Sequence, residues 1–536
     1  MIPRQGPAVL LSVALGLSIL STPLAAHVAS LTDRQIAAGS PHVVVAVVES
    51  ARSRWNEQHS LIVTDYSLRV EDWLRGDAPE RITLTIPGGT LDGETHDTCV
   101  STPLVDGARY LLYLQELEER LLVPVTGGWQ GVFREAPGGF AVHGPGKAEA
   151  PVRTAEGGLV EFSEVVRSAR ELISRVEAEP EPADTAWMER TENPALPAEV
   201  YTPVQEAKYV VRSQAVSPLV FEPLSPGSPF SGVDQQMMAY WNLYARDLFR
   251  ISPDPTPGWA TRNGVSEIAG FPSSGELEQQ LGHGWSAGAL STTVTFMNSE
   301  RRIVEADIAW NPAYEWTLDE TAATMWLNGQ EPPHSFRSSL LKHLGWAWGY
   351  LGLYDLFSLS FEDVSRDSVM NVKQPTNTLP LLSAEDAAAA RTYYPGRQLR
   401  DGLISPYVTL PSPVTPRYVA ASPSVSSLRA GGKFDFLSPL TIENPGTESL
   451  SQLTVEVYLV PQRFNLARAV LLKRVPVAGS LPSGAAREVA LGRVTVPKRT
   501  PPGIYSFAFV LKDARDEYQA NNRAWSPSPV TLRVTR

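Results

Sequence analysis

Metal-assisted hydrolysis needs three side chains that ligate one ion and a neighbouring group that takes a proton from water. The residues that come nearest to this lie in His334-Ser335-Phe336-Arg337-Ser338-Ser339-Leu340-Leu341-Lys342-His343-Leu344-Gly345-Trp346-Ala347-Trp348-Gly349. Phe336, Leu340, Leu344, Ala347, Trp348 and Leu351 recur at helical spacing, which predicts a helix over 335–351 with that stripe in a core. Pro332-Pro333 stops what precedes it, Ser335 can cap the first amides, and Gly349 and Gly352 allow a left-handed exit. On this helix residues 342 and 346 share a face one turn apart, the geometry in which two imidazoles would hold one ion.

The side chains at those positions are the wrong kind. Lys342 is cationic at neutral pH and the Trp346 indole can only donate. Other residues do not repair the set. His334 and His343 are separated by about 900° of helical turn and face opposite ways. His283 sits in the loop signal Gly282-His283-Gly284 and brings one ligand at most. Three ligands are not assembled, so no metal site and no intact catalytic residue are expected. Lys342 reads as a solvated helix residue and His343 as a polar residue on the helix flank. Trp346 reads as a bulky aromatic filling a cleft or a core, and Met370 as a methionine that suits any core.

The same run resembles the zinc-binding helix of the matrixins, metzincin peptidases whose helix carries H-E-x-x-H-x-x-G-x-x-H and is followed by a Met-turn. Aligned on Leu344-Gly345 and Gly349, Lys342 stands at the first histidine, His343 at the general-base glutamate, Trp346 at the second histidine and Gly352, which has no side chain, at the third ligand, a place Asp355 reaches only with a shifted turn. Ala306-Asp307-Ile308-Ala309-Trp310-Asn311-Pro312 resembles the strand leading to that helix. Asp367-Ser368-Val369-Met370 resembles the Met-turn, and Leu382-Ser383-Ala384-Glu385-Asp386 through Tyr393-Tyr394-Pro395 the closing helix. The resemblance implies a metzincin-like α+β domain over 206–400 that has lost its zinc ligands and its base: a pseudoenzyme acting in binding or structure, with no cofactor. One alternative is an active secreted zinc metalloendopeptidase with non-standard ligands. Another is an adhesin-like protein whose middle domain is a spacer. If the cleft survives, its edge strand around Thr292–Phe296 could accept an extended peptide or protein segment by strand addition.

The flanking segments are β-rich. His42–Val48, Leu61–Val70, Arg81–Ile86 (closed by Pro87-Gly88-Gly89) and Tyr110–Leu114 predict short strands of a small barrel or sandwich over 38–150. They resemble an OB-like, netrin-type module that precedes peptidase domains in some bacterial secreted proteins. Residues 151–205 read as a helix over 162–178 followed by an acidic, proline-bearing linker. Within the middle domain Tyr209–Arg212, Pro218–Phe221, Thr292–Phe296 and Ile303–Trp310 read as extended. Met237–Phe249 and Ala384–Tyr393 read as helices, the latter capped by Ser383 with Asp386. Residues 413–536 read as all β, with strands at Thr454–Val460, Val489–Val496, Ile504–Leu511 and Val530–Val534. Asn444-Pro445-Gly446, Pro502-Gly503-Ile504-Tyr505 and Asn521-Asn522 resemble features of bacterial Ig-like domains of the CARDB group. The predicted fold is therefore multidomain: an all-β OB-like domain, an α+β metzincin-like domain and an Ig-like β-sandwich.

Residues 1–26 read as a signal peptide, with Arg4 in the charged region, Val9–Leu20 apolar and Leu24-Ala25-Ala26 at the cleavage site. The apolar run is short for a bilayer and no second one follows, so the expectation is a secreted or periplasmic protein with no transmembrane anchor. A net charge of −12 argues against a nucleic-acid partner. Cys99 is the only cysteine, which excludes an internal disulfide and leaves a buried thiol or an intermolecular bridge.

Overall fold

The computed structural model describes residues 33–535 except 78, 99–101, 118–120, 144–149, 153–157, 179–207, 212–213, 226, 254–261, 287–288, 320–332, 355–368, 371–380, 395, 397, 406, 411–416, 462–464, 514 and 527–530. Residues 1–26, read as a signal peptide, Cys99, the stretch 179–205 read as an acidic linker, Asp355 and the first half of the Asp367–Met370 segment lie outside the described residues. The protein is β-rich, with several separate sheets. No helix among the described residues is long and apolar enough to cross a membrane.

The N-terminal sheet has seven antiparallel strands in the order Arg81–Pro87, Ile62–Arg75, His42–Trp55, Arg109–Leu114, Val132–Glu135, Ala141–His143 and Ala150–Pro151. The valine run at its centre does not alternate in polarity because both of its faces are covered. Val44, Ala46 and Val48 join one core with Leu68, Leu84 and Leu112. Val43 and Val45 join another with Leu111, Tyr113 and the helix Phe162–Ala178, which contributes Phe162, Ala169 and Ile173. The helix assigned by pattern to the connector thus packs as part of the N-terminal unit.

The middle sheet is also seven-stranded, in the order Phe249–Ile251, Leu219–Glu222, Ser266–Gly270, Ile303–Trp310, Ser291–Met297, Glu94–Thr98 and Gly89–Leu91. The first four are mutually parallel, and Ser291–Met297 runs antiparallel to Ile303–Trp310. The last two strands come from the N-terminal unit. Side chains alternate along a strand, so Ala306, Ile308 and Trp310 share the face covered by the helices Val233–Tyr244 and Phe336–Ala347. Glu305 and Asp307 point the other way.

Two predicted helices end early. The segment 237–249 is helical only to Tyr244, because Ala245 turns extended and the Asn242 amide pairs with both the N–H and the carbonyl of Phe249 (2.9 and 2.7 Å), which starts a strand there. The motif helix spans Phe336–Ala347 rather than 335–351. Gly349 takes φ +94°, and Tyr350–Tyr354 continues as a strand paired with Lys208–Val211. Likewise 489–496 is interrupted by Gly492 at φ +59° between Ala486–Val489 and Arg493–Thr495.

The C-terminal sheets surround one core built from Ile404, Ile442, Val455, Val457, Phe507, Phe509 and their neighbours. Leu403–Ser405 already pairs with Leu440–Glu443, so this unit begins immediately after residue 400. Polar contacts fix it to the middle region. Tyr244 Oη donates to Asp401 Oδ2 at 2.5 Å, the Asn521 amide donates to both Asp401 oxygens, and Gly402 N–H donates to Asp516 at 2.8 Å. Arg400 forms a buried ion pair with Asp513 at 2.6 Å.

Burial pushes the Asp401 carboxyl up from 3.8 to about 7, with Asp516 adding to the rise against the hydrogen bonds from Tyr244, Asn521 and Gly402. A raised folded pKa gives stability that is complete below the unfolded value of 3.8 and is lost as pH rises through about 7. Asp401→Asn removes that proton. Relative to the native protein, the variant should gain about 2 kcal/mol of unfolding free energy between pH 5 and pH 8. Denaturant melts across that range check it, and a difference independent of pH would show that Asp401 is ionised in the fold.

Candidate functional site

The motif helix starts at Ser335, whose hydroxyl accepts the Ser338 N–H at 3.3 Å. From Ser339 to Ala347 every residue is buried. The helix is gripped on one side by the Trp241 indole, which donates to the Leu341 carbonyl at 3.0 Å. On another, the Trp310 indole donates to Ser339 Oγ at 2.9 Å. The expected solvated face therefore does not exist: Lys342 is 3% exposed and His343 is 0% exposed. This corrects the reading of Lys342 as a solvated residue and of His343 as a flank residue.

Both ring nitrogens of His343 are engaged. Its Nδ1 lies 2.5 Å from Thr293 Oγ1 and its Nε2 lies 2.6 Å from Ser291 Oγ. These hydroxyls are two residues apart on Ser291–Met297, so they project on one face of the strand and bracket the ring, one reaching each nitrogen. Burial holds the imidazole well below its ordinary pKa, and the neighbouring Lys342 charge acts in the same direction. The ring is thus neutral, donating from one nitrogen and accepting at the other. The single lone pair and the single N–H of the neutral ring are both committed to hydroxyls.

Lys342 and Trp346 do converge. The ammonium lies 5.4 Å from the centre of the Trp346 ring, and that ring meets His343 edge-on at 4.9 Å. Trp310 meets His343 from the other side at 5.5 Å. An ammonium against an indole is a cation–π contact, favourable where water is scarce. Trp346 is 3% exposed and packs as an interior aromatic.

Met370 packs directly on the helix. A Cβ on Gly345 would overlap Met370 Sδ and would stand 3.4 Å from the Trp241 ring, so glycine is what lets the methionine lie against the backbone. Val369 N–H donates to Asp386 Oδ2 at 3.0 Å, the same carboxylate that caps the helix Ala384–Tyr393 through Ser383 N–H. Tyr350 Oη donates to its other oxygen at 3.2 Å. Asp386 therefore fixes the methionine turn, the helix exit and the last helix together. At position 352 the backbone pairs with Val210 in the two-stranded sheet.

The remaining histidines belong elsewhere. His334 packs against Tyr314 and Trp316 at 5.6 and 5.3 Å, and burial lowers its pKa to about 4. His283 Nδ1 donates to the Leu281 carbonyl at 3.0 Å, beside Asn56 and Gln115 of the N-terminal unit. Among the described residues no three His, Cys, Asp or Glu side chains are arranged to hold a metal. Glu305 and Asp307 lie on the opposite face of the sheet. Burial raises both carboxyls, Asp307 further by its neighbours Glu305 and Glu267, but neither faces the motif helix. The sequence reading missed Ser291, Thr293, Ser339 and Asp386 as partners of the site. Hydroxyls at four of the seven positions of a fully buried strand, Ser291–Met297, were the available signal.

The strand predicted to accept a peptide is occupied. Val294, Thr295, Phe296 and Met297 pair with Thr98, Asp97, His96 and Thr95 of the same chain. No protein-family model and no curated protein matches this sequence.

Trp346→Ala should destabilise the protein by about 3–5 kcal/mol, the cost of emptying a buried site of that size. Urea melts monitored by circular dichroism check this. A change within about 0.5 kcal/mol, as for surface sites, would place Trp346 outside the core.

Proposed function

We propose that this protein is an exported multidomain protein whose residues 206–400 are a degenerate metzincin-type peptidase domain acting in binding or structure rather than hydrolysis. The observation that carries the reading is His343. It stands at the general-base position, yet it is neutral and fully buried, and both ring nitrogens bond to Ser291 and Thr293. At the two helical ligand positions an ammonium packs on an indole, and neither group can donate a lone pair to zinc. The donor set does not fit the metal that the resemblance implies.

The family reading is supported by the left-handed exit at Gly349, by Met370 against Gly345, and by the antiparallel strand Ser291–Met297 flanking the helix. The antiparallel N-terminal sheet and the C-terminal sheets around one core support an OB-like module before it and an Ig-like module after it. In this reading the interior of the former active site has become ordinary core. Lys342 packs its amino group on the indole there, and Trp346 supplies bulk. Export rests on the signal-like residues 1–26.

Elemental analysis of the purified full chain, with an assay on casein and on general fluorogenic peptides, tests this. Substoichiometric zinc and no cleavage are expected. One tightly held zinc per chain with chelator-sensitive proteolysis would overturn the reading in favour of a peptidase with non-standard ligands.

A further inference from the structure

We infer that the hairpin Gly89–Thr98 is a built-in strand-addition ligand, which closes the outer edge of the middle sheet against extended peptides. The inference uses only the geometry of this edge and does not rest on the peptidase resemblance.

The chain reaches the edge through a corner. Arg81–Pro87 is an outer strand of the N-terminal sheet, and the next two residues, Gly88 and Gly89, take φ +106° and +149°. A Cβ at Gly89 would lie 2.6 Å from Thr64 Oγ1 and 2.7 Å from Ser53 Oγ, so the backbone can cross there only as glycine. The Thr64 hydroxyl donates to the Gly88 carbonyl at 2.8 Å and fixes the crossing. Gly89–Leu91 then pairs with Glu94–Thr98 across Asp92-Gly93, both with positive φ (52° and 85°). This is the two-residue turn whose twist suits a hairpin. Pro87-Gly88-Gly89 is thus a change of sheet rather than the end of a strand.

On the edge, Glu94–Thr98 makes the antiparallel ladder that an incoming peptide would make. Its side chains add specificity. His96 is 2% exposed, accepts the Ile62 N–H at 3.0 Å, and meets Phe296 and Trp55 edge-on at 4.7 and 5.0 Å. Glu94 pairs with Arg262 at 2.6 Å, and the same guanidinium lies 4.1 Å over Trp55. An exposed edge of seven residues would otherwise invite pairing with other chains. The occupant that fits is therefore an extended antiparallel segment with an aromatic or imidazole side chain opposite Phe296.

Thr95→Pro with Asp97→Pro removes two hairpin N–H groups and puts rigid rings in the ladder, so it should free the edge without touching the motif helix. The probe is a fluorescein-labelled peptide of the chain's own sequence from Gly93 to Thr98. Fluorescence anisotropy should show no saturable binding to the native full chain and saturable binding to the variant. Native chain that binds the peptide as well as the variant does would overturn the proposal, as would a folded variant that ignores it. Hydrogen exchange on the native chain needs no variant. Amides 294–297 should be protected as strongly as those of Ile303–Trp310, and exchange typical of a free edge would also overturn it. Neither experiment reads zinc or proteolysis, so its failure leaves the proposed function standing.

Discussion

An imidazole cut off from water must find protein partners for both ring nitrogens, or the fold carries the cost of a buried polar group left unpaired. His343 finds them in Thr293 and Ser291, and much of the middle region follows from that requirement. The strand must run close beside the motif helix, with its hydroxyls inward to bracket the ring. Ile303–Trp310 must then continue the sheet in register, which delivers Trp310 to Ser339 and to the His343 ring. The opposite side of the helix is held by Trp241, Met370 and, through Asp386, the last helix. A metal centre would need lone pairs free and a water path open. This arrangement uses the lone pair of the neutral ring and fills the space.

What was legible in the sequence was the apolar stripe. Phe336, Leu340, Leu344, Ala347 and Trp348 are all fully buried, as their helical spacing implies. Capping was legible too, since Ser383 and Asp386 form the reciprocal cap that their spacing suggests. The fate of Lys342 and His343 was not. Periodicity assigns a polar residue to solvent by default, but this helix is enclosed on all sides, and the partners of His343 lie 50 and 52 residues earlier in the chain. No local pattern encodes such a pairing. Helix ends were lost for a related reason: Asn242 bonding to Phe249 and the left-handed Gly349 are side-chain and backbone choices that overrule apolar spacing.

The division into separate modules was the other limit of pattern reading. Residues 89–98 belong by sequence to the N-terminal unit and by hydrogen bonding to the middle sheet. Leu61, Val63, Leu122 and Val123 of the N-terminal unit lie in the same apolar cluster as Val294, Phe296 and Trp310. At the other end, Asp401 ties the C-terminal sheets to Tyr244, and Glu443 and the Pro445 carbonyl accept from Ala384 and Arg391 of the last middle helix. Linkers between independent domains bury little, whereas these junctions bury titratable groups and aromatic rings. The physical picture is one of interlocked β-rich units rather than beads on a string.

The most direct test of this account is the ionisation and tautomer of His343, read from its side-chain ¹⁵N shifts in a histidine-labelled sample at neutral pH. A neutral ring in one tautomer, unchanged when zinc is added, is the predicted result. A charged ring, or ring-nitrogen shifts that move with stoichiometric zinc, would contradict the claim that both nitrogens are committed to Ser291 and Thr293.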